Sequence, residues 1–341
     1  MPTIRQLAAL AGVSHSTVSR ALRDDPQIGE ATRRRIQALA REYHYQPNRL
    51  AQGALSGASR LLGFISGDLS LPFGARLLRG IYDAAYGAGY QVLVTETWRE
   101  MPRLLQAVHT LLAQRVQGML IVHINPIPLP RQAVLEIISH NVAAVLLDHS
   151  RAERPLTRVC TDESALADLA VGYLHDLGHR HIAFVGPSIG AFRGERTAAI
   201  RQALTRRGLS SQYLVDWQTE AYHGFSAATT LARALAHRPC PTAIIGFEDR
   251  IAAALIQAAQ ARRLSVPRAV SIMGCANLNI AEFTAPPLTS IEQHPEEIGR
   301  RACRHVIARL TAPDPAGGDV PALIQVPPTL VIRDSCAAPA R

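Results

Sequence analysis

Short apolar runs alternate with segments of helical length along most of this 341-residue chain, and that alternation is the strongest constraint on its fold. Residues 61–65 form an apolar run, a helix-like pattern follows at 75–86, and the next apolar run lies at 91–94. A similar series begins again with a helical segment at 166–177 and an apolar run at 182–185. Strands that alternate with helices are typical of parallel sheets flanked by helices. Two such series predict two α/β lobes of similar architecture.

The first 45 residues carry a different pattern, in which helical segments follow one another without strands. Thr3 begins the first segment, and Gln6 three residues later matches a capping box. Gly12 ends this helix, because glycine adopts the left-handed conformation at little cost, and Ser14 can cap a second helix almost at once. The pattern predicts an all-α helix-turn-helix unit, whose second and third helices run from about His15 to Arg23 and from Glu30 to Tyr43.

Composition narrows the class of protein. The net charge is +9, and all 36 basic residues are arginine, a uniformity that points to genome composition. The positive balance suits a polyanionic partner such as nucleic acid. No run of 18 uncharged apolar residues occurs, so the sequence predicts no membrane span. The N-terminus also lacks the apolar segment of a signal peptide. We therefore expect a cytoplasmic protein that binds no membrane. The five scattered cysteines form no CxxC pair, and we expect no metal, no cofactor and no disulfide framework.

Three ordered motifs mark the first two helices: Thr-Ile-Arg-Gln-Leu-Ala at 3–8, Ala-Gly-Val-Ser at 11–14 and Thr-Val-Ser-Arg-Ala-Leu at 17–22. This series resembles the headpiece of the lactose-repressor (LacI/GalR) family of transcriptional regulators. The later segments 45–48 and 50–52 resemble that family's junction and hinge helix. An ordered series over more than 50 residues is far more specific than a generic helix-turn-helix pattern.

The resemblance implies that the second helix lies in the major groove of DNA, where base edges carry a distinguishable pattern of donors and acceptors. His15, Ser16 and Arg20 match the family's base-reading positions, and the guanidinium fork of Arg20 suits a guanine. Other polar residues match positions that touch phosphates and sugars, which set the register without reading sequence. These are Thr3, Ser14, Thr17, Thr32, Tyr45 and Asn48.

Residues 48–56 resemble the family's hinge helix, in which a leucine wedges into the minor groove beside its dimer mate. The matching position is Ala54, and Leu55 comes one residue later. One residue rotates a side chain by about 100° around a helix. Either the hinge shifts so that Leu55 becomes the wedge, or Ala54 takes the site and kinks the DNA less. We favour Leu55, because an exposed leucine beside a minor groove otherwise has little purpose.

Segments of the remaining chain resemble the effector domain of the same family, which is related to periplasmic sugar-binding proteins. These segments are 177–186, 286–289 and 329–335. The resemblance thus covers nearly the whole chain, and it implies three crossings between the two lobes. We expect a DNA-binding domain at 1–46, a hinge helix and linker at 47–60, and an effector-binding and dimerisation domain at 61–341. The lobes are expected to comprise 61–159 with 291–320, and 160–290 with 321–335.

The cleft between the lobes is where this resemblance implies that an effector binds. Asp148 follows a strand of the first lobe, Arg196 opens a helix of the second, and Asp249 follows a second-lobe strand. A carboxylate accepts hydrogen bonds from two hydroxyls and a guanidinium donates through a fork, which suits a sugar or sugar acid. Where the family often carries an aspartate pair, this chain has Ala276 and Asn277. Lost carboxylates beside a retained arginine would favour a more anionic ligand.

These features predict a sequence-specific transcriptional regulator, a repressor, whose operator affinity is controlled by a small-molecule effector such as a sugar or a sugar-derived metabolite. The expected partners are double-stranded pseudo-palindromic operator DNA, the effector and a second copy of the chain, because a two-fold operator needs two headpieces. A solute-binding receptor of the same two-lobed fold is the alternative, which residues 1–57 disfavour. An enzyme is disfavoured because neither a Walker loop nor an HExxH motif occurs.

Overall fold

The computed structural model describes residues 3–45, 59–122, 128–186, 194–216, 225–311 and 321–340. The chain divides into two compact units, residues 1–59 and residues 60–341. No helix in the described ranges is both long and apolar enough to cross a membrane.

The first unit is a bundle of three short helices, as the sequence predicts. Thr3 and Gln6 form a reciprocal capping box, Gly12 ends the first helix with a φ of 63°, and the Ser14 hydroxyl accepts from the Thr17 backbone N–H. A small core that includes Leu7, Val18 and Ile36 holds the bundle together. The helices are α1 (Ile4–Ala11), α2 (His15–Ala21) and α3 (Glu30–Glu42).

The first lobe of the second unit is a six-stranded parallel sheet with helices on both faces. Leu62 and Phe64 of the first strand pack on one face of the sheet, and Ile65 packs on the other. This two-sided burial explains why the strand is an unbroken apolar run. In spatial order the strands are β11 (Leu323–Val326), β5 (Thr157–Thr161), β4 (Ala143–Leu147), β3 (Gly118–Ile121), β1 (Leu61–Ser66) and β2 (Gln91–Glu96). The helices are α4 (Pro72–Gly87), α5 (Met101–Ala113), α6 (Arg131–Ser139) and α12 (Pro295–Thr311).

The second lobe repeats this plan around one continuous hydrophobic core. Its pairings are parallel except that β10 and β12 are antiparallel. In spatial order the strands are β12 (Thr329–Val331), β10 (Thr289–Glu292), β9 (Ser271–Cys275), β8 (Ala243–Gly246), β6 (Ile182–Gly186) and β7 (Leu214–Asp216). The helices are α7 (Glu163–Asp176), α8 (Glu195–Arg206), α9 (Ala227–Leu235), α10 (Asp249–Ala261) and α11 (Ile280–Phe283).

The chain crosses between the lobes after β5, after β10 and after β11, and the last crossing corrects an expected boundary. Residues 321–335 were assigned as one block to the second lobe, but β11 belongs to the first sheet. It pairs in parallel with β5, from Leu323 beside Arg158 to Val326 beside Thr161. Only β12 then returns to the second lobe. The pairing partner of β11 lies more than 150 residues away in sequence, so no local pattern reveals it.

Helices α4 and α12 approach each other more closely than side chains normally permit. A Cβ atom at Gly80 would lie 1.8 Å from the Glu296 carbonyl oxygen, and one at Gly299 would lie 2.2 Å from the Leu77 carbonyl oxygen. Both glycines are buried inside their helices. Because α4 begins beside the cleft described below, this contact fixes one wall of the cleft against the first lobe.

We predict that Gly80→Ala lowers the free energy of unfolding by about 1–3 kcal/mol, because the added methyl group overpacks the interface between α4 and α12. Gly87→Ala, at the end of the same helix, is the matched control. A Cβ atom there meets nothing within 4 Å, so helix propensity should leave stability unchanged or raise it by up to about 1 kcal/mol. Urea unfolding measures both variants, and equal effects of the two would contradict this account of the contact.

Candidate functional site

The exposed face of α2 carries the residues that the sequence predicts for base reading. Ser14 caps the helix, and His15 and Ser16 in its first turn are exposed. Arg20, in the last turn, keeps 38% of its side chain exposed while its Nε donates to Asp25. The buried face of the same helix carries Val18, which anchors it in the headpiece core. The fold therefore brings His15, Ser16 and Arg20 onto one short helix whose outer face is polar.

The residues predicted to contact the DNA backbone lie around this helix. The Ser14 hydroxyl is 2.7 Å from the Ser16 hydroxyl and 2.8 Å from the Thr17 hydroxyl, so the three form one polar cluster. Thr3 is exposed at the start of α1, and Thr32 lies half-buried in the first turn of α3. Tyr45 packs partly against the headpiece core, and burial raises the pKa of its phenol. Asn48, Ala54 and Leu55 lie outside the described residues.

A cavity lies between the two lobes and opens to solvent. Its wall is built where parallel strands end, which is where open α/β sheets bind ligands. In the first lobe, Asp68, Val122 and Asp148 follow β1, β3 and β4 respectively. In the second lobe, residues after β8, β9 and β10 complete the wall. These are Phe247, Glu248, Arg250, Ala276, Leu278 and Gln293.

Three of the five residues predicted for effector binding line this cavity, namely Asp148, Arg196 and Ala276. Asp148 and Arg196 come from different lobes. Asp249 and Asn277 are placed behind the wall rather than in it, because their side chains are turned toward protein partners. We therefore treat them as supports of the wall.

Arg196 is held in a buried ion pair with Glu163. Its Nε donates to one carboxylate oxygen of Glu163 at 2.8 Å and its Nη2 donates to the other at 2.7 Å. Its Nη1 donates to the Phe247 carbonyl at 2.8 Å. Burial opposes both charges, yet the pair outweighs it, so the pKa of Glu163 falls and that of Arg196 rises. The arginine charge is thus already matched, which removes the argument for a more anionic ligand.

His149 lies on the floor of the cavity and contacts carboxylates of both lobes. Its Nε2 is 3.2 Å from Glu163 Oε1 and 3.6 Å from Asp148 Oδ1, and its Nδ1 is 3.6 Å from Glu195 Oε2. Burial favours the neutral ring, but these carboxylates outweigh it and raise the pKa of His149 to about 10. The contact with His149 in turn lowers the pKa of Glu195 to about 2. Arg158 of β5 also reaches Glu195, at 2.6 Å, so a partly buried charge cluster joins the lobes.

The turn after β9 forms part of the wall of the cavity on the second lobe, and its backbone is unusual. Ala276 has a φ of 100° and Asn277 a φ of 46°, a region that residues other than glycine seldom occupy. Asp249 supports this turn, since its carboxylate accepts from the Leu278 N–H at 2.5 Å and from the Ser290 hydroxyl at 2.5 Å. Burial raises the pKa of Asp249 to about 7, although both hydrogen bonds act in the opposite direction.

Asn277 and Arg76 tie the same turn to its surroundings. Asn277 donates to Glu292 at 3.2 Å and accepts from Arg333 at 2.9 Å. Arg76 on α4 crosses from the first lobe, donating to the Ala276 carbonyl at 3.2 Å and to Glu292 at 3.2 Å. It also pairs with Glu296 at 2.7 Å. Contacts between the lobes therefore lie near the turn as well as in the cluster around His149.

Sequence reasoning missed Glu163, His149 and Arg76. Two local signals were available, because His149 directly follows Asp148 at the end of β4 and Glu163 begins α7 just after β5. Neither signal identifies a partner, since Glu163 and Arg196 are 33 residues apart and Arg76 and Glu292 are 216 apart. In the described ranges, no group of three or more His, Cys, Asp or Glu side chains is arranged to hold a metal ion.

Comparison with known proteins identifies both units. Residues 3–48 match the model of bacterial regulatory proteins of the lacI family, and residues 171–336 match that of a periplasmic binding protein-like domain. The ribose operon repressor of Escherichia coli (strain K12) is 30% identical over 318 residues, which cover 92% of this chain and 94% of that protein. The chain belongs to the lacI family of bacterial regulatory proteins.

Further similarities of this lacI-family chain agree. The transcriptional repressor CytR of Escherichia coli (strain K12) is 31% identical over 304 residues, covering 88% of this chain and 87% of that protein. The crystal structure of the lac repressor dimer bound to operator and the anti-inducer ONPF matches with a TM-score of 0.84 at 27% identity, covering 99% of each chain. The curated relatives named here are repressors, so the predicted family, fold class and role as a DNA-binding transcriptional regulator rather than an enzyme are confirmed.

We predict that the free energy of unfolding falls as the pH rises into the alkaline range, because His149 then loses its proton. The pKa of folded His149 is about 10, above the value of about 6.5 for an unperturbed histidine. Its protonation therefore stabilises the fold fully below about pH 6.5, and this contribution is lost as pH rises through about 10, by about 1.4 kcal/mol per unit of pKa difference. Urea unfolding at about pH 6, 8 and 9.5 should show this decline for the wild type and lack it for His149→Gln.

The control for this measurement is His109→Gln. His109 is an exposed histidine of the first lobe whose Nε2 lies 2.9 Å from Glu136 Oε2. Because an exposed pair contributes little, this variant should keep the wild-type pH profile. Parallel pH profiles for the wild type and His149→Gln would contradict the assignment of a charged His149.

Proposed function

We propose that this lacI-family regulator acts in the cytoplasm as a homodimeric repressor of a pseudo-palindromic operator, and that a small hydroxylated metabolite, a sugar or a sugar derivative, controls its operator affinity from the cavity between the lobes. The effector half of this proposal rests on one observation. Asp148 of the first lobe and Arg196 of the second lobe line the same cavity. The DNA-binding half of the proposal rests on the polar outer face of α2.

The headpiece supports direct reading of base edges. His15, Ser16 and Arg20 project from a helix of seven residues, short enough to enter a major groove with its whole outer face. The nearby hydroxyls of Ser14 and Thr17 suit phosphate contacts that position the helix. A two-fold operator requires two such headpieces, and the structure of the lac repressor named above is that of a dimer on its operator.

The chemistry of the cavity supports a neutral, hydroxyl-bearing ligand. Arg196 has five N–H donors, of which three go to Glu163 and Phe247, so the remaining two can serve ligand oxygens. Asp148 offers an acceptor from the opposite wall, and Gln293 adds an amide. Apolar side chains, among them Phe73, supply contacts for the less polar face of a sugar ring.

The alternative is a solute-binding receptor with the same two lobes. The three-helix unit at the N-terminus disfavours it, because a receptor has no need of an exposed polar recognition helix beside a hydroxyl cluster. The two relatives named above, which match over most of their length, are repressors. A gel-shift assay with the DNA upstream of the gene separates the two, since a receptor leaves that DNA unshifted.

We predict that Arg20→Ala weakens binding to the operator by about 1–3 kcal/mol and relaxes discrimination at one base pair, because a bidentate arginine–guanine contact is lost. Thr17→Ala is the comparison variant. It should weaken binding to all sequences more evenly, since its hydroxyl is proposed to contact the backbone. Fluorescence anisotropy on the operator and its single-base variants measures both, and unchanged operator affinity for Arg20→Ala would remove it from the base-reading set.

The effector is identified by a thermal-shift screen over sugars, sugar acids and nucleosides, in which a ligand at 100 times its dissociation constant adds about 2.7 kcal/mol of stability.

Replacing Arg196 alone would leave Glu163 buried and unpaired, at a cost of about 3–5 kcal/mol. The double variant Glu163→Gln with Arg196→Gln removes both charges. We predict that it loses the thermal shift caused by the screened ligand while operator binding stays near normal.

The control for the effector test is Arg206→Ala. Arg206 lies on the same helix, α8, and forms an exposed pair with Asp168 at 2.9 Å, so its loss should leave the thermal shift unchanged. Calorimetry with the ligand from the screen completes the test. An unaltered dissociation constant in the double variant would place Arg196 outside the effector site.

A further inference from the structure

Arg20 is gripped along one edge by the loop that follows its helix. Its Nε donates to Asp25 Oδ2 at 2.8 Å, and its Nη2 donates to the side-chain oxygen of Gln27. The second carboxylate oxygen of Asp25 accepts from the Gln27 backbone N–H at 2.9 Å. Both oxygens of Asp25 are therefore engaged, and the guanidinium is fixed in plane rather than left to rotate.

The backbone places the Asp25 carboxylate where it meets Arg20. Asp24 adopts a left-handed conformation with a φ of 55°, which turns the chain back after α2. The Asp25 N–H then donates to the Arg20 carbonyl at 3.2 Å, and its own carbonyl accepts from the Ile28 N–H at 3.0 Å. The Asp24 carboxylate accepts from Gln37 of α3 at 2.7 Å. The loop is thus tied to both helices, and the position of Asp25 belongs to the fold.

The hydrogen bonds to Asp25 and Gln27 leave the end of the Arg20 guanidinium available for a further contact. Arginine carries five N–H donors in a planar fork, and two of them go to Asp25 and Gln27. The remaining donors include the pair at the tip, on Nη1 and Nη2, which is the pair that a bidentate contact with guanine O6 and N7 uses. The Arg20 side chain is partly exposed, so this tip can reach a ligand.

We propose that Asp25 is a positioning residue for base reading, whose carboxylate holds the Arg20 guanidinium in the plane that a guanine in the major groove requires. The inference rests on the proposed base-reading role of Arg20. It extends that role to a residue that itself needs to touch no base. Because a bidentate contact depends on the orientation of a planar group, fixing that plane before binding reduces the ordering cost of the contact.

The charge of Asp25 has a second consequence. Hydrogen bonds from Arg20 and from the Gln27 backbone hold the pKa of Asp25 below its ordinary value, so it is ionised at neutral pH. An ionised carboxylate offsets the positive charge of Arg20 and reduces its sequence-independent attraction to phosphates, which dominates non-specific binding. Asp25 therefore lowers affinity for random DNA while it raises discrimination at one base pair.

The test compares full-length wild type with Asp25→Asn, and uses Asp24→Asn as the matched control. Both substitutions remove one negative charge from the same loop, and asparagine tolerates the left-handed conformation of residue 24. Sequences are first selected from a pool of random duplex DNA. Anisotropy then measures the affinity of each protein for the selected duplex, its single-base variants and an unrelated duplex.

Wild type should prefer guanine at the position read by Arg20 by about 10- to 100-fold. Asp25→Asn should lose at least about 5-fold of that preference at this position alone and bind the unrelated duplex as well as wild type or better. Asp24→Asn should keep the preference within about 2-fold. In the background of Arg20→Ala, Asp25→Asn should cause no further loss of discrimination, because Asp25 acts through Arg20.

Three results would overturn the proposal. Asp25→Asn could keep the full guanine preference, it could weaken every sequence to the same extent, or it could add to the loss caused by Arg20→Ala. Asp25→Ala provides a second variant without an amide, and full discrimination in it would contradict the proposal equally. If Arg20→Ala relaxes discrimination and neither Asp25 variant does, this inference alone fails. If the wild type selects no sequence, the proposed function fails with it.

Discussion

The buried ion pair between Glu163 and Arg196 is the interaction on which the cavity between the lobes depends. Only 6% of Glu163 and 3% of Arg196 is exposed, so both charges carry a large desolvation cost that only a bidentate geometry with further hydrogen bonds offsets. The pair fixes the start of α7 against the start of α8, and Arg196 lines the cavity. His149 joins the pair from the first lobe. The same cluster thus lines the cavity and links the two lobes.

Local signals predicted much of the fold, because they act within a few residues. The capping box at Thr3 and the left-handed Gly12 are confirmed, and the alternation of apolar runs with helical segments correctly predicted two sheets whose strands are parallel except for β12. The strands that the pattern missed, among them β5, β7 and β11, are short or polar, and each lies at or next to the edge of its sheet. Such strands are defined by hydrogen bonds to a partner far away in sequence, and the position of the last lobe crossing was wrong for this reason.

The candidate site was predictable to the extent that strand ends define it. The resemblance to the family placed Asp148, after a strand, and Arg196, at the start of a helix, near the cleft, and both line the cavity. Asp249 was expected in the wall by similar reasoning, but its side chain turns to Ser290 and to the Leu278 N–H. Position along the chain gives the place of a residue, whereas the direction of its side chain depends on tertiary partners. The match of Arg196 to Glu163 also changes the expected ligand chemistry, which no single position reveals.

The central claim is that one ligand-binding cavity and one DNA-binding surface are coupled in a single regulator. Thermodynamic linkage requires that an effector and an operator alter each other's dissociation constant by the same factor, typically about 5- to 150-fold. The most direct measurement is the affinity of the full-length protein for the screened ligand, by calorimetry, with and without saturating operator, beside its operator affinity with and without that ligand. The account predicts equal factors in the two directions and no change with an unrelated duplex. Identical ligand affinity in the presence and absence of operator would contradict it.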